Sequence, residues 1–262
     1  MINYWRYSAT GNDFVIFDGR ESDFYLKFSK EKIAHICEEH KTDGVLFLET
    51  SREYDFHMRY LNADGGEVEM CGNGARSITH FASDILNIES KEKGLYTFST
   101  YSGVYNSKPE KNYPLKMTEV FDEGAISIKD LYPASSLSYY INTGVPHCLF
   151  EVDDPQAINL SEVGPKVRFD KRFEKGSNCN FFSHRKNKIT MRTFERGVEA
   201  ETLSCGTGAV AVVIALVKNK GLSGDFDVSV PGGKLFISCD SDCQNVWLAG
   251  AVEVTDQGTL TL

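Results

Sequence analysis

Several features that would each point to a class of protein are missing from this 262-residue sequence. There is no basic surplus: 28 Lys and Arg against 37 Asp and Glu leave a formal charge of −9, which argues against a nucleic-acid or anionic-membrane partner. No basic segment leads into an apolar run at the start, so no secretory signal is expected. The longest apolar stretch, residues 209–217, falls far short of the roughly 20 residues that cross a bilayer. No Cys-x-x-Cys pair occurs, and Cys239 and Cys243 stand four apart with no matching His or Cys pair nearby, so no metal is expected. Seven cysteines, an odd number without a signal, read as free thiols in a reducing compartment, the cytoplasm. Runs of βαβ units and helical repeats are absent too.

What is present is one pattern used twice. Ser204-Cys205-Gly206-Thr207-Gly208-Ala209 leads into an uncharged apolar run to Val217, the mark of a helix buried on all sides. Lys218, Lys220 and Gly221 then supply a cationic end and a glycine stop. Met70-Cys71-Gly72-Asn73-Gly74-Ala75 repeats Cys-Gly-x-Gly-Ala about half a chain earlier, and Ile78, Phe81, Ala82, Ile85 and Leu86 follow at helical steps. Each motif delivers a cysteine to a helix N-terminus, where free N–H groups and the helix dipole favour its thiolate. Two chance glycine-rich turns are the plain alternative.

Around these motifs the pattern alternates between strands and turns. Residues 2–7 and 14–17 read as strands flanking a polar turn at 8–13 that carries Asn12. Residues 29–39 read as a helix capped by Ser29, and 45–48 and 56–61 as strands. The second of these strands ends in a turn that holds Asn62 beside Cys71. Strands are expected at 95–105 and 115–120, with little pattern from 121 to 140, where the first half gives way to the second. Gly144 and Pro146 place His147 at the mouth of a strand over 148–152. A short helix over 160–167, a turn at 176–180 carrying Asn178, and a strand over 189–194 ending in Glu195-Arg196-Gly197 follow. The remaining strands fall at 228–230, 234–238, 246–254 and 259–262. Taken singly, Asn12 and Asn62 are ligand contacts or turn residues, His147 a base or a structural histidine, and Glu195–Arg196 a ligand clamp or a surface ion pair. Many strands and few helices argue for an α+β fold in two halves, each a curved, mostly antiparallel sheet around a helix. The halves are expected at 1–118, completed by a C-terminal strand at 251–262, and at 119–250.

Two thiols facing each other across a cleft suit inversion at a carbon acid. One base removes the α-proton from one face and an acid delivers a proton to the other, whereas a single base returns the proton to the face it left. Proton transfer at about 3–3.5 Å on each side sets the sulfurs roughly 6–7 Å apart with substrate between them. His147 and Glu195 are the bases at hand. Backbone N–H groups of Gly72, Asn73, Gly206 and Thr207 suit a carboxylate and its developing enolate. Asn12, Asn62, Asn178, Glu195 and Arg196 suit ammonium and carboxylate groups.

Tyr60-Leu61-Asn62-Ala63-Asp64-Gly65, Glu69-Met70-Cys71-Gly72-Asn73-Gly74-Ala75-Arg76, Pro146-His147, and Glu195-Arg196-Gly197 followed by Glu201-Thr202 and Cys205-Gly206-Thr207-Gly208 closely resemble the diaminopimelate epimerase family. The resemblance runs from Gly11 to Trp247. It implies two pseudo-symmetric domains with the active site in the cleft between them, and a homodimer. The reaction implied is epimerisation of LL- and meso-diaminopimelate for lysine and peptidoglycan precursors, without pyridoxal phosphate or metal. Cys71 and Cys205 would be the acid/base pair, assisted by His147 and Glu195, and Asn12, Asn62, Asn178 and Arg196 would hold the substrate. Three positions depart from the family: Val145 stands where Asn often precedes Pro-His, the Val198-Glu199-Ala200 link is one residue longer, and Gly44 replaces a Gln of some members. A proline- or hydroxyproline-type racemase shares the two-cysteine logic but typically carries His where this chain has Asn73. A non-catalytic amino-acid-binding protein or a thiol redox sensor needs only half of the pattern.

Overall fold

The computed structural model describes residues 1–68, 70–117, 120, 124 and 126–261. They form two compact units, Met1–Lys116 with Ala249–Leu262, and Met117–Leu248. The boundary expected between residues 118 and 119 falls outside the described residues.

In the first unit, β1 (Ile2–Ala9) and β2 (Asn12–Asp18) make a hairpin. Its turn is only Thr10 and Gly11, both at positive φ, so Asn12 begins a strand instead of sitting in a six-residue loop. Helix α1 (Lys30–His40), capped by the Ser29 hydroxyl, crosses over so that β3 (Gly44–Glu49) lies parallel to β2, and β4 (Phe56–Asn62) returns antiparallel. Helix α2 (Gly72–His80), prolonged by a π-helical turn at Phe81–Ile85, makes a second crossover to β5 (Tyr96–Thr100), parallel to β4. Then come β6 (Gly103–Ser107) and the two-residue β7 (Leu115–Lys116). The last strand, Glu253–Leu260, pairs with β1. The sheet wraps α2, which packs against β1, β2, β3, β4, β6 and β7. Alternation along the strands gives the other face to α1, whose Ile33, Ile36 and Cys37 bury against Val15, Phe17, Val45 and Phe47.

The second unit repeats this order. β8 (Leu137–Asn142) and β9 (Pro146–Glu151) form a hairpin, and α3 (Leu160–Arg168) crosses to β10 (Asn178–Arg185), parallel to β9. β11 (Lys188–Glu195) returns antiparallel and carries the short β12 (Ala200–Thr202) on its edge. Helix α4 (Gly206–Lys220) crosses to β13 (Gly224–Val230), which is followed by β14 (Gly233–Cys239) and β15 (Val246–Gly250). Every residue of α4 from Gly208 to Val217 is buried, against β8, β9, β10 and β14. At about 1.5–3 kcal/mol for each buried Val, Leu or Ile, this helix anchors the unit's core. Gly221, at φ 66°, caps it.

Further expectations change. The strand at 95–105 is a hairpin turning at Tyr101–Ser102, and the one at 246–254 is cut at residues 251–252, so the final edge strand starts earlier than 259. β8 lies within the stretch that carried little pattern, and Asn178 starts a strand where a turn was read. Of the strand expected at 115–120, Leu115–Lys116 forms among the described residues; Thr118 and Glu119 lie outside them. Where a strand breaks or turns is set by the neighbour it pairs with, which its own residues do not record.

Candidate active site

In each unit the register gathers the chemical groups at one end of three strands, beside a helix N-terminus. In the first unit Phe14, Gly44 and Asn62 lie abreast on β2, β3 and β4. Gly44 is there because a Cβ would come within 2.4 Å of the Leu61 carbonyl oxygen, so no Gln side chain fits at this position. Cys71 is the N-cap of α2, and its sulfur accepts a hydrogen bond from the Gly74 N–H at 3.4 Å. Asn62 keeps its backbone in the turn through Gly65 and Gly66, and its side-chain amide pairs with none of the described residues.

Asn12 is held from two sides. Its Oδ1 accepts from Asn73 Nδ2 in the first turn of α2, and its Nδ2 donates to Asp43 Oδ2 at 3.2 Å. Asn73 is turned by Arg76, whose Nη2 donates to its Oδ1. The donors and acceptors therefore run one way, from guanidinium through two amides to a carboxylate, and leave one Asn12 N–H to spare. Arg76 is fully buried; it also donates to the Thr10 hydroxyl and the Ala251 carbonyl, both at 3.3 Å, while its Nε has no partner. Burial lowers its pKa to about 10, and attraction to Cys71 opposes that lowering. The sequence reading missed Arg76 and Asp43. The signal available for Arg76 was a charge inside a helical stretch whose neighbours are otherwise apolar or small.

In the second unit His147, Asn178 and Glu195 occupy the matching end of β9, β10 and β11. Cys205 is the N-cap of α4, with Sγ 3.6 Å from the Thr207 hydroxyl. His147 is buried and its Nε2 lies 3.1 Å from the same hydroxyl. Burial first, and the positive charge of Arg196 next, hold its pKa down to about 3, so the ring is neutral at neutral pH. Asn178 donates to the Pro146 carbonyl at 3.0 Å and accepts the Arg196 N–H at 2.8 Å, which joins β10 to the Glu195–Arg196 corner. Glu195 accepts from the Thr202 hydroxyl at 2.7 Å, and Arg196 Nη1 donates to the Lys175 carbonyl at 3.3 Å. In the longer link, Glu199 adopts φ 59° and pairs with Arg168 at 2.8 Å. Asn142, at the end of β8 opposite Pro146, has a buried amide oxygen without a partner.

Burial pushes the Cys148 thiol up to about 12 and raises those of Cys37, Cys179 and Cys239, so these stay protonated and inert. All seven are free thiols.

The family model for diaminopimelate epimerase matches residues 4–119 and 139–255. The chain belongs to the diaminopimelate epimerase family. A diaminopimelate epimerase of Flavobacterium psychrophilum is 33% identical over 99% of this chain and 100% of its own length, and one of Aquifex aeolicus is 33% identical over 99% and 98%. Among solved structures, a PhzF-family phenazine biosynthesis protein of Bacillus anthracis shares the fold at TM-score 0.74 and 18% identity, covering 100% of this chain and 99% of its own. A probable proline racemase of Agrobacterium radiobacter does so at TM-score 0.68 and 15% identity, covering 100% and 93%. Family membership makes the protein an isomerase acting on a small molecule. Among the described residues no helix is long and apolar enough to cross a membrane.

Proposed function

We propose that this protein interconverts LL- and meso-diaminopimelate, with Cys71 and Cys205 as the proton-transferring pair and neither pyridoxal phosphate nor metal taking part. What carries the reading is the repeated arrangement: in a chain of this family, each unit presents one cysteine as the N-cap of its central helix. One thiolate removes the α-proton and the other thiol returns a proton to the opposite face. The N–H groups of Gly72, Asn73, Gly206 and Thr207 are placed at helix N-termini, where they suit the substrate carboxylate and the enolate it becomes. Asn12, Asn62, Asn178, Glu195 and Arg196 bind the rest of the substrate, and Arg196 meets the second carboxylate. The units Met1–Lys116 with Ala249–Leu262, and Met117–Leu248, are the two catalytic halves. The same reading carries a homodimer in the cytoplasm.

The test is α-proton exchange in deuterated water across the isomers of diaminopimelate, proline and hydroxyproline. Diaminopimelate should exchange fastest, and Cys71→Ala and Cys205→Ala should each lose at least about 10²–10⁴-fold in epimerisation, followed as interconversion of the LL and meso isomers. Faster exchange of proline would move the protein to the racemase reading. Near-normal turnover in either alanine variant would end the two-base mechanism.

A further inference from the structure

Asn180 lies in the 176–180 stretch read as a turn, with no role of its own there, yet it ends a hydrogen-bond chain that reaches Cys205. It is fully buried on β10, an amide between Cys179 and Phe181. Its Nδ2 donates to the Cys148 carbonyl at 3.1 Å, and its Oδ1 accepts from the Thr193 hydroxyl at 2.9 Å. A carbonyl can only accept, so these contacts fix which way the amide points. The second hydrogen on Nδ2 is then directed at His147 Nδ1, 3.2 Å away, and that nitrogen must accept it. A neutral imidazole that accepts at Nδ1 carries its proton on Nε2. That proton goes to Thr207 Oγ1 at 3.1 Å, and the threonine's own hydrogen is left for Cys205 Sγ at 3.6 Å.

We propose that Asn180 is a positioning residue: it holds His147 in the Nε2–H tautomer and thereby aims the Thr207 hydroxyl at the Cys205 sulfur. In this arrangement His147 donates, and does not take the Cys205 proton. The thiolate gains a hydrogen bond that the tautomer guarantees. Burial of the ring, which keeps it neutral, agrees with a donor held in one state. The backbone is built around the chain as well. Thr143 donates to the Thr207 carbonyl at 3.2 Å, and a Cβ on Gly208 would lie 2.5 Å from Asn180 Oδ1, so only glycine lets α4 approach this closely. The catalytic consequence rests on Cys205 being one of the two acid/base groups; the tautomer does not.

The experiment is a long-range proton–nitrogen spectrum of the full chain labelled with ¹⁵N-histidine, with His147→Gln assigning the signal. Wild type should show the proton on Nε2, and Asn180→Asp, whose carboxylate only accepts, should move it to Nδ1. In parallel, alkylation of Cys205 by iodoacetamide is followed by peptide mass spectrometry across pH. Thr207→Val should slow it about tenfold and shift its pH profile upward, Thr207→Ser should keep the wild-type rate, and Cys71 should be unchanged in both. A wild-type ring protonated on Nδ1, or Thr207→Val with unaltered Cys205 alkylation, overturns the proposal. If Asn180→Asp fails to fold, the wild-type spectrum and the Thr207 pair still decide it. An Nε2–H ring in a protein that exchanges no α-proton would leave the tautomer standing and remove the epimerase reading instead.

Discussion

Replacing Arg76 by Met separates what this buried charge does for the fold from what it does for the site. Burial takes the guanidinium from the ordinary 12.5 to about 10, a bias of about 3 kcal/mol against keeping the charge in place. Against that stand hydrogen bonds to Thr10, Ala251 and Asn73; the first two are long at 3.3 Å, so each sits near the low end of the roughly 1.5–3 kcal/mol typical of a charged donor. The balance is a net stabilisation of about 1–2 kcal/mol, and a methionine refills the space with apolar atoms. Thermal unfolding of Arg76→Met should therefore start only a few degrees lower. The site should suffer far more. Without Nη2 the Asn73 oxygen loses its donor, the Asn73 amide is free to turn over, and Asn12 loses the partner that orients it. One misaligned substrate hydrogen bond corresponds to a ten- to hundredfold loss in kcat/KM for diaminopimelate, at about 1.4 kcal/mol per factor of ten. Arg76→Lys should match that loss of activity and unfold more easily, because an ammonium is more strongly hydrated and cannot span Asn73 and Ala251 together. If Arg76→Met instead lost more than about 4 kcal/mol of stability while its folded fraction turned over normally, Arg76 would be a structural pin and the orienting role would be wrong.

Arg196→Lys should cut kcat/KM for diaminopimelate about ten- to a hundredfold, since a point charge cannot replace a two-pronged contact with a carboxylate; an unchanged value would remove Arg196 from the second-carboxylate role. Gly208→Ala should impair turnover with little change in substrate binding, because its Cβ would press on Asn180 Oδ1 and approach Cys205 Sγ and His147 Cε1, each at 3.3 Å; wild-type kcat would mean that the chain through His147 is dispensable. Stability should fall in acid. The His147 ring is neutral in the folded state down to about pH 3 but charges near its ordinary 6.5 when unfolded, so its contribution is whole above pH 6.5 and is lost progressively as pH drops toward 3. Between pH 6.5 and 4 this amounts to about 3 kcal/mol, read as a lower urea midpoint. His147→Gln should flatten that dependence, and an equally steep one would show that other groups govern it.

The sequence by itself determined the elements whose signals are local. An uncharged run from Ala209 to Val217 between glycines reads as a buried helix, and the cysteine before each glycine-rich stretch falls at a helix N-cap because that stretch is the first turn of the helix. The repeated motif also revealed the duplicated architecture. Strand ends were less legible: β8, β12 and the split of residues 246–254 depend on which neighbour each strand pairs with, and pairing leaves no mark on one strand alone. The site's wiring was decided by tertiary structure only. His147 meets Thr207 sixty positions away, and Asn180 meets Thr193 and His147, because parallel and antiparallel register bring β9, β10 and β11 abreast at the mouth of α4. Arg76 reads as an ordinary helix arginine until the sheet closes over it. A hydrogen bond between side chains depends on register, burial and direction together, and those are set when the sheet wraps its helix, not by the spacing of residues along the chain.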